Sequence, residues 1–457
     1  MDQHEENATR LGKEKVSTLL WKFSFPAIAA MLASSLYNVI AGIFIGHLGP
    51  YSISGVGLTA PFMSLAAAFG ALVGVGASVL CSISLGEKNY PKARQVLANL
   101  VILNLIMGLM MTVVGLVFLD PILIILGASE NTLEPAREYM QIILAGNVFA
   151  HMYLGLNAVL RVSGYPIVAM NLTLLSVGIN LILAPLFIFN FDMGVRGAAL
   201  ATVIAQMICC AISMAIFMRK DRLVYFERDK FHLDGHIVLR SFSIGSPNFF
   251  TNACGCFIVI MQNSNFLKYG GDLYVGAFSI INRIVFLFFM IALGFSQGMQ
   301  PIVAYNFGAK KYDRMWEAFR LTVVCAFLVL LVGTTCGQVF PREMTSLFVD
   351  GNTELDQELI DITVDGFRKI TCCLWIIAVQ VIGSNFFASM NQPGKSLFLS
   401  LTRQLIFIVP LLWFLPPIIG VDGVWWTSPI SDVAAAICAA FLLIRERNRQ
   451  KRMGMIM

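Results

Sequence analysis

The chain of 457 residues is too apolar for a soluble globule, because 57% of its residues are hydrophobic and only 13% are charged, about half the charged share usual in soluble domains. The composition also excludes a disulfide-rich secreted scaffold, a coiled coil and a disordered chain. Apolar runs of about 20 residues recur along the sequence, which indicates a polytopic membrane protein in a lipid bilayer. The net charge of +5 is therefore interpreted as a topology signal, and no nucleic-acid partner is expected.

Twelve apolar segments are long enough to cross a membrane. Helices are expected, because a helix satisfies its own backbone hydrogen bonds in lipid, and the short alternating segments typical of a β-barrel are missing. The predicted fold class is an all-α polytopic membrane protein. Its spans are predicted at Phe23–Ile45, Gly55–Leu85, Val96–Leu119, Tyr139–Leu160, Val162–Phe191, Gly197–Met218, Ser241–Leu267, Leu273–Val303, Leu321–Phe340, Ile370–Met390, Ser396–Ile419 and Gly423–Ile444.

Lysine and arginine are distributed unequally between the predicted loops. Most of them are assigned to the side that holds both chain ends, including Lys13, Arg161, the 219–236 segment, Arg403 and Arg445–Arg452. Because basic residues concentrate in cytoplasmic loops, this bias predicts that both termini are cytoplasmic. The ten cysteines show neither metal-ligand nor thioredoxin spacing, and they are interpreted as small buried hydrophobic residues.

The two halves of the chain repeat one pattern of spans and turns. Four pairs of segments match: Ser24–Pro26 with Gly245–Pro247, Leu85–Tyr90 with Phe307–Tyr312, Pro185 with Pro410, and Gly194–Gly197 with Gly420–Gly423. Each half has an even number of spans, so two parallel, pseudo-symmetric six-helix bundles are expected, with a substrate cleft between them that opens alternately to each side. The predicted domains are residues 1–218 and 237–457, joined by a linker at 219–236.

Several motifs resemble the multidrug and toxic compound extrusion (MATE) family. In the first half they are Tyr37-Asn38, Ile43–Gly49, Leu156–Gly164, Asn180–Phe189 and Gly197–Thr202. In the second half, Gly270–Asp272, Ile281–Ile284, Gln297–Pro301 and Tyr305–Lys311 are similar to the MepA-like bacterial branch. The resemblance implies an exporter of organic cations and drugs, exchanged for H+ or Na+, in the bacterial cytoplasmic (inner) membrane. A monomer is expected, with no cofactor, no metal and no catalytic site.

Two positions depart from the family pattern. The family usually has aspartates, associated with ion coupling, where this chain has Ala41 and Ala184. An alanine side chain can neither bind a proton nor ligate Na+. Three explanations are open: a branch that couples elsewhere, an uncoupled or altered carrier, and deliberate substitution of two aspartates. The polar positions that match the family's first-half cluster are retained, namely Tyr37, Asn38, Tyr139, Asn157, Asn180 and Thr202.

Polar side chains inside the spans are candidates for replacement chemistry, because an unpaired charge in lipid is costly. His151 in span 4 is a candidate for proton coupling, with a purely structural histidine as the alternative. Arg283 in span 8 needs a partner, and Asp432 in span 12 is the obvious opposite charge, in either a structural pair or a substrate or ion site. The other candidates are amides that either contact substrate or join helices, namely Asn263, Gln297 and Gln300.

Three functions are candidates for a chain with these features. The first is a MATE-type exporter of small organic cations. The second is a related flippase or exporter for a lipid-linked or non-cationic substrate, which the missing carboxylates and Arg283 favour. The third is an intramembrane enzyme, which needs a nucleophile–base or metal constellation that the sequence does not display.

Overall fold

A computed structural model describes residues 10–349 and 353–456. Within them, twelve helices are long and apolar enough to cross a membrane, which confirms the predicted fold class. They are α1 (Val16–Gly46), α2 (Pro50–Gly86), α3 (Tyr90–Val117), α4 (Glu130–Val162), α5 (Pro166–Asn190), α6 (Gly194–Met218), α7 (Gly235–Gly270), α8 (Asp272–Gly308), α9 (Tyr312–Val339), α10 (Glu354–Ser389), α11 (Pro393–Ile419) and α12 (Val421–Arg452).

The internal repeat of the sequence is visible in the backbone. The turn after α2 places Lys88 at φ 57°, and the matching turn after α8 places Lys310 at φ 56°. Both lysines follow a helix that ends in glycine, and both occupy the left-handed region that few side chains adopt. α5 and α11 also share an irregularity, since each contains a π-helical segment, at Leu186–Asn190 and at Thr402–Ile408. The two halves therefore share the turn after their second helix, whereas the π segments lie on opposite sides of the matched prolines, after Pro185 in α5 and before Pro410 in α11.

The helices extend beyond the predicted spans, because hydropathy stops at charged residues whereas helical hydrogen bonding does not. The largest difference is in α10, which was predicted from Ile370 but begins at Glu354. Its first part, Glu354–Thr371, has a capping box formed by Thr353 and Asp356, and the helix is interrupted before a second part at Ile377–Ser389. Arg161 and Arg403, which were counted among the basic residues of the terminal side, lie inside α4 and α11, as the predicted span Ser396–Ile419 already implied for Arg403.

Both ends of the described chain, near Leu11 and Gln450, lie on the same side of the helix bundle, here called the terminal side, and the opposite side is called the far side. Near the start of the described chain, the carbonyl of Leu11 accepts a hydrogen bond from Asn306, which lies near the end of α8 (3.0 Å). Near the end of α12, Gln450 accepts one from Trp316 at the start of α9 (2.9 Å). α1 and α12 thus have their outer ends at one surface.

The segment before α1 is tied to the second half of the chain. Lys311 donates to the carbonyl of Gly12 (2.8 Å), and Arg314 donates to the carbonyl of Glu14. Asn306, which is fully buried, joins this network by donating to Leu11 and accepting from Arg314 (3.3 Å). The first-half segment is therefore held by charged and amide groups of α8 and α9 at the terminal side.

We expect Asn306→Ala to lower the free energy of unfolding by about 1–3 kcal/mol, because it leaves buried donors and acceptors without partners. The measurement is thermal unfolding of the purified protein in detergent. Ser279→Ala is the matched control on the same helix, since Ser279 is exposed and bonds only within its own helix, to Val275. Equal effects of the two substitutions would contradict the role given to Asn306.

Candidate substrate cleft

α2 and α7 bring the two halves into backbone contact toward the terminal side. A methyl group added at Gly245 would lie 1.8 Å from the carbonyl oxygen of Leu72, and one added at Gly76 would lie 1.9 Å from that of Ser241. Real Cβ atoms do not approach so closely, so only glycine fits at either position. This contact, together with the α1–α8 contact described next, is called the terminal-side barrier.

α1 and α8 form the second part of the barrier. A methyl group added at Gly298 would lie 2.6 Å from the backbone nitrogen of Ser24, and one at Gly294 would lie 3.0 Å from the Cα of Ile28. Ser24 and Ile28 lie in the terminal-side part of α1, and both glycines lie in the terminal-side part of α8. The halves are therefore closed against each other on the terminal side.

Two aromatic rings from α2 and α7 meet beyond the glycine contact, toward the far side. Phe69 and Phe249 contact each other with ring centroids 4.8 Å apart. On α2, Phe69 lies two turns beyond Gly76 toward the far side, and the helix continues from there for about 28 Å to Pro50. We interpret this ring pair as the floor of a cleft that is open to the far side.

Arg283 is the sequence candidate that lies on the cleft side of α8. Three helical turns separate it from Gly294, so both residues point in nearly the same direction, toward the first half. The side chain is exposed, and among residues 10–349 and 353–456 it makes no hydrogen bond or ion pair. Arg283 is therefore a free positive charge that faces the cleft.

Asp432 does not pair with Arg283, a pairing that the sequence left open. Asp432 instead accepts a 2.6 Å hydrogen bond from Nε of Arg403, and its side chain is 4% exposed. Sequence analysis missed this partner because Arg403 was counted among the basic residues of the terminal side. The predicted span Ser396–Ile419 already contained it, and Asp432 is the one acidic residue within the predicted spans, which was the signal for this pair.

Three of the predicted first-half residues come together from three helices. The hydroxyl of Tyr37 on α1 lies 3.3 Å from the hydroxyl of Thr202 on α6. Thr202 in turn can donate to Oδ1 of Asn180 on α5, at 3.4 Å. Asn180 is buried and Tyr37 is half-buried. These side chains form a small polar cluster of hydroxyl and amide groups without a charge.

The two alanines that replace family aspartates border this cluster. Ala184 is 2% exposed and belongs to an apolar group that includes Ile188 and Ala201, with Tyr139 packed against it. Ala41 is half-buried, one turn along α1 from Tyr37. Asn38 is exposed on α1 and takes no part in the hydrogen bonds of the cluster. Four of the six predicted polar residues, Tyr37, Thr202, Asn180 and Tyr139, thus surround an apolar patch, whereas Asn38 and Asn157 take no part in the cluster.

His151 lies apart from that cluster, buried between α4 and α2. Its ring packs on Gly70, where an added methyl group would lie 3.6 Å from the imidazole. It lies near the carbonyl of Ala66, but neither ring nitrogen makes a hydrogen bond of normal geometry within the described residues. Asn147, one turn away, is also buried and has an unpaired amide nitrogen there. This pair is a buried polar site inside the first half.

Asn157 and Gln297 lie at the terminal-side barrier, on either side of Arg161. Arg161 on α4 donates to Oε1 of Gln297 on α8, and it lies 3.4 Å from Oδ1 of Asn157. Gln297 also approaches the sulfur of Met31 on α1 (3.6 Å). In the described part of the chain, no carboxylate neutralises Arg161. A positive charge therefore bridges the two halves through neutral acceptors.

The two remaining predicted amides lie within the second half. Gln300 donates to Asn385 of α10 at 3.3 Å, which joins two helices. Asn263 on α7 has a buried amide oxygen with no partner among residues 10–349 and 353–456. Gln300 therefore fits the helix-joining interpretation, and Asn263 keeps an acceptor free.

A separate cavity of about 650 Å³ opens on the far side of the first half. It is lined by Leu48, Glu134, Glu138, Asp192 and Arg196 among others, and Arg196 pairs with Glu138 at 2.8 Å. No group of three or more histidine, cysteine or acidic residues that could hold a metal ion is found in the described residues. The acidic groups here lie at a helix-end surface and not in the cleft.

Comparisons with known proteins agree with this architecture. A family model described as MatE matches residues 26–186 and 247–414. Multidrug export protein MepA of Staphylococcus haemolyticus is 29% identical over 428 residues, which are 93% of this chain and 93% of that protein. MepA of Staphylococcus aureus is 27% identical over 438 residues, 96% of this chain and 95% of its own.

Two solved structures have the same fold. One, described as an outward-facing conformation of a multidrug resistance MATE family transporter of the MOP superfamily, is 26% identical with a TM-score of 0.90, covering 96% of this chain and 97% of its own. The other is a MOP superfamily transporter from Pyrococcus furiosus, described as having a binding pocket whose reverse polarity suggests a different function. It is 26% identical with a TM-score of 0.90, covering 97% and 98%.

Proposed function

Since the chain belongs to the MatE family of membrane transporters, we propose that it exports small amphipathic organic molecules by alternating access. The observation that carries this proposal is the asymmetry of the contacts between the halves. Glycines close α2 against α7 and α1 against α8 on the terminal side. We take the Phe69–Phe249 contact as the floor of a cleft that opens toward the far side. A carrier in this state releases its substrate to the far side.

The direction of export follows from the orientation in the membrane. We propose that both termini face the cytoplasm of a bacterial cell, because basic residues are concentrated at the terminal side, in the 219–236 segment and in Arg445–Arg452. The far side is then outside the cytoplasmic membrane. We further propose that residues 1–218 and 237–457 move as two domains about the linker, in a monomer that transports and does not catalyse.

Organic cations and drugs are the first candidate substrates. Two relatives are named multidrug export proteins, and the cleft offers the faces of Phe69 and Phe249, which attract flat cations. The cluster of Tyr37, Thr202 and Asn180 adds hydroxyl and amide oxygens that accept hydrogen bonds. A cation would be held by these groups without a neutralising carboxylate.

A non-cationic or lipid-linked substrate is the second candidate. Among the described residues Arg283 is an exposed positive charge without an ionic partner, on the face of α8 that we assign to the cleft, and such a charge favours an acidic group and repels a cation. The Pyrococcus furiosus structure, with its pocket of reverse polarity, is a precedent for such a change within this fold. Ala41 and Ala184 remove the negative charge that a cation exporter would use.

Coupling to H+ or Na+ is proposed to run through groups other than positions 41 and 184. Neither alanine can bind an ion through its side chain. His151 is the first-half candidate, since it is buried beside α2 and an imidazole can gain and lose a proton. An uncoupled carrier is the alternative if no gradient drives transport.

The test uses purified protein in proteoliposomes with two flat dyes of opposite charge, ethidium and fluorescein. Each dye is followed under a pH gradient, a sodium gradient and no gradient, with protein-free liposomes as the control. Gradient-driven ethidium flux supports coupled cation export, and ethidium flux that ignores both gradients indicates an uncoupled carrier. Flux of fluorescein alone moves the function to the second candidate. Movement of neither dye contradicts export of small aromatic ions.

His151→Gln is expected to reduce proton-driven flux to the gradient-free rate, because glutamine keeps polar atoms at this position but cannot gain a proton. The matched control is His47→Gln, at the exposed far-side end of α1, where the imidazole bonds only to the carbonyl of Ile43 (2.8 Å). The measurement is the same dye flux under a pH gradient. Unchanged driven flux in His151→Gln would leave His151 with a structural role.

A further inference from the structure

A carboxylate–guanidinium pair lies in the second half, within the predicted membrane spans. Asp432 of α12 is the one acidic residue between the bounds of the twelve predicted spans. Its side chain is 4% exposed, and Arg403 of α11 contacts it at 2.6 Å through Nε. An isolated carboxylate at such a depth is costly, and the cost is offset as long as the guanidinium stays in place.

The helix that supplies Arg403 is irregular at this residue. Residues Thr402–Ile408 of α11 form a π-helical segment, and Pro410 follows it closely. A π segment replaces the regular hydrogen-bond ladder with a wider one, and such segments are frequent at functional sites. The pair with Asp432 therefore holds the part of α11 that can most readily change its backbone arrangement.

The same segment contacts the helix that closes the barrier. Gln404, the residue after Arg403, donates to the backbone carbonyl of Thr251 on α7 (3.1 Å). Its own amide oxygen is buried and has no partner within the described residues, so this oxygen can accept a new hydrogen bond when the segment shifts. Thr251 lies two residues beyond Phe249 of the cleft floor, and Gly245 of the barrier lies six residues before Thr251 on α7.

We propose that Asp432 is a proton-binding site that controls the terminal-side barrier through α11 and α7. A proton arriving from the cleft adds to a carboxylate oxygen of Asp432 and neutralises it, and the charge-assisted bond from Arg403 breaks. The π segment then shifts, Gln404 transmits the shift to α7, and the contact of Gly245 with Leu72 opens. The proton leaves when Asp432 faces the terminal side. This inference rests on the proposed alternating access and names a site for its coupling ion.

The groups around Asp432 are consistent with a single titrating carboxylate. Arg403 faces it from α11, and α10 contributes the nearby uncharged thiol of Cys372, which itself bonds to the carbonyl of Lys369 (3.0 Å) and lies beside Cys373 (3.7 Å). α7 contributes no charged group to this region. Its Gln262 amide bonds to Ser428 of α12, one turn before Asp432 (3.2 Å). One carboxylate and one permanent cation therefore determine the local charge between them.

The experiment follows the barrier itself and needs no substrate. Hydrogen–deuterium exchange of the purified full chain in lipid nanodiscs is measured at pH 5.5 and pH 8.0, after correction for the intrinsic pH dependence of exchange. The test variant is Arg403→Gln with Asp432→Asn, which removes both charges together and keeps a hydrogen-bonding pair, so that no unpaired charge is buried. The control is Lys395→Gln with Glu446→Gln, which neutralises another pair that involves α12, whose glutamate is 3% exposed.

In the unmodified chain, peptides from the terminal-side parts of α2 and α7 are expected to exchange at least about fivefold faster at the lower pH. The Arg403→Gln/Asp432→Asn variant is expected to exchange rapidly at both pH values, whereas the control keeps the pH dependence. The proposal is overturned if the unmodified chain shows no pH dependence at the barrier, or if the variant retains it. Because dye flux is not used, failure of this inference is distinguishable from failure of export.

Discussion

Replacing Gly245 by valine is expected to reduce transport about 100-fold, because the halves can no longer close on the terminal side. A Cβ atom at this position would lie 1.8 Å from a backbone carbonyl oxygen, that of Leu72, which cannot swing away as a side chain could. Overpacking of this kind costs about 1–3 kcal/mol or more, and a bias of that size on a two-state equilibrium corresponds to roughly 5–150-fold. The substitution favours the state that is open on the terminal side.

The measurement combines dye flux with deuterium exchange of the terminal-side parts of α2 and α7, which is expected to become faster. Gly57→Val is the matched control, since Gly57 lies on the far-side part of α2 and an added methyl group there meets no atom within 4 Å. Normal flux in Gly245→Val would mean that the contact with Leu72 is not required during the transport cycle. Loss of flux in both variants would assign the effect to glycine replacement in general.

The number of spans and the first-half cluster were predictable from local sequence, and the barrier was not. Uncharged runs predict helices because lipid leaves the backbone no other partners. Tyr37, Thr202 and Asn180 were grouped through their match to family motifs, and the structure brings them within hydrogen-bond distance. Their roles in binding remain predictions. The glycine contacts depend on which helix faces which across the two halves, and no local pattern encodes that.

The pairing of the charged residues was likewise not predictable from local sequence. Asp432 was identified as a charge inside a span, with Arg283 as the obvious opposite charge, and whether the two meet was left open. Arg403 was counted with the basic residues of the terminal side, although it lies inside the predicted span Ser396–Ile419. The π segment at Thr402–Ile408, which positions Arg403, also leaves no signature in the sequence. Which charged side chains pair in this protein depends on helix register, and composition carries no information about register.

The arginines of the helices fall into two groups, those with and those without an acidic partner in the described chain. Arg403 is neutralised by Asp432, whereas Arg283 and Arg161 have no acidic partner in the described chain. Arg283 faces the open cleft, and Arg161 lies in the closed barrier, where Gln297 and Asn157 satisfy it. When the barrier opens, Arg161 loses Gln297 across the interface. The closed state is therefore the one in which this charge is best satisfied.

Arg161→Met is accordingly expected to lower transport roughly 10- to 100-fold and to speed deuterium exchange at the barrier. Methionine keeps much of the apolar stem but removes the donors that bridge α4 and α8, and a hydrogen bond from a charged group contributes about 1.5–3 kcal/mol. Arg161→Lys is expected to recover only part of the loss, because an ammonium group cannot reproduce the planar fork that reaches Gln297 and Asn157 together.

Arg196→Met is the matched control. Arg196 of α6 also pairs with a residue of another helix, Glu138 of α4 (2.8 Å), but this pair lies at the exposed far side. Exposed ion pairs contribute about 0–1 kcal/mol, so its flux is expected to stay within a few-fold of the unmodified chain. Both variants are measured by dye flux and by deuterium exchange in nanodiscs. If Arg161→Met leaves barrier exchange unchanged while flux falls, Arg161 contacts the substrate rather than stabilising the barrier. If both stay unchanged, the bridge to Gln297 has no part in the cycle.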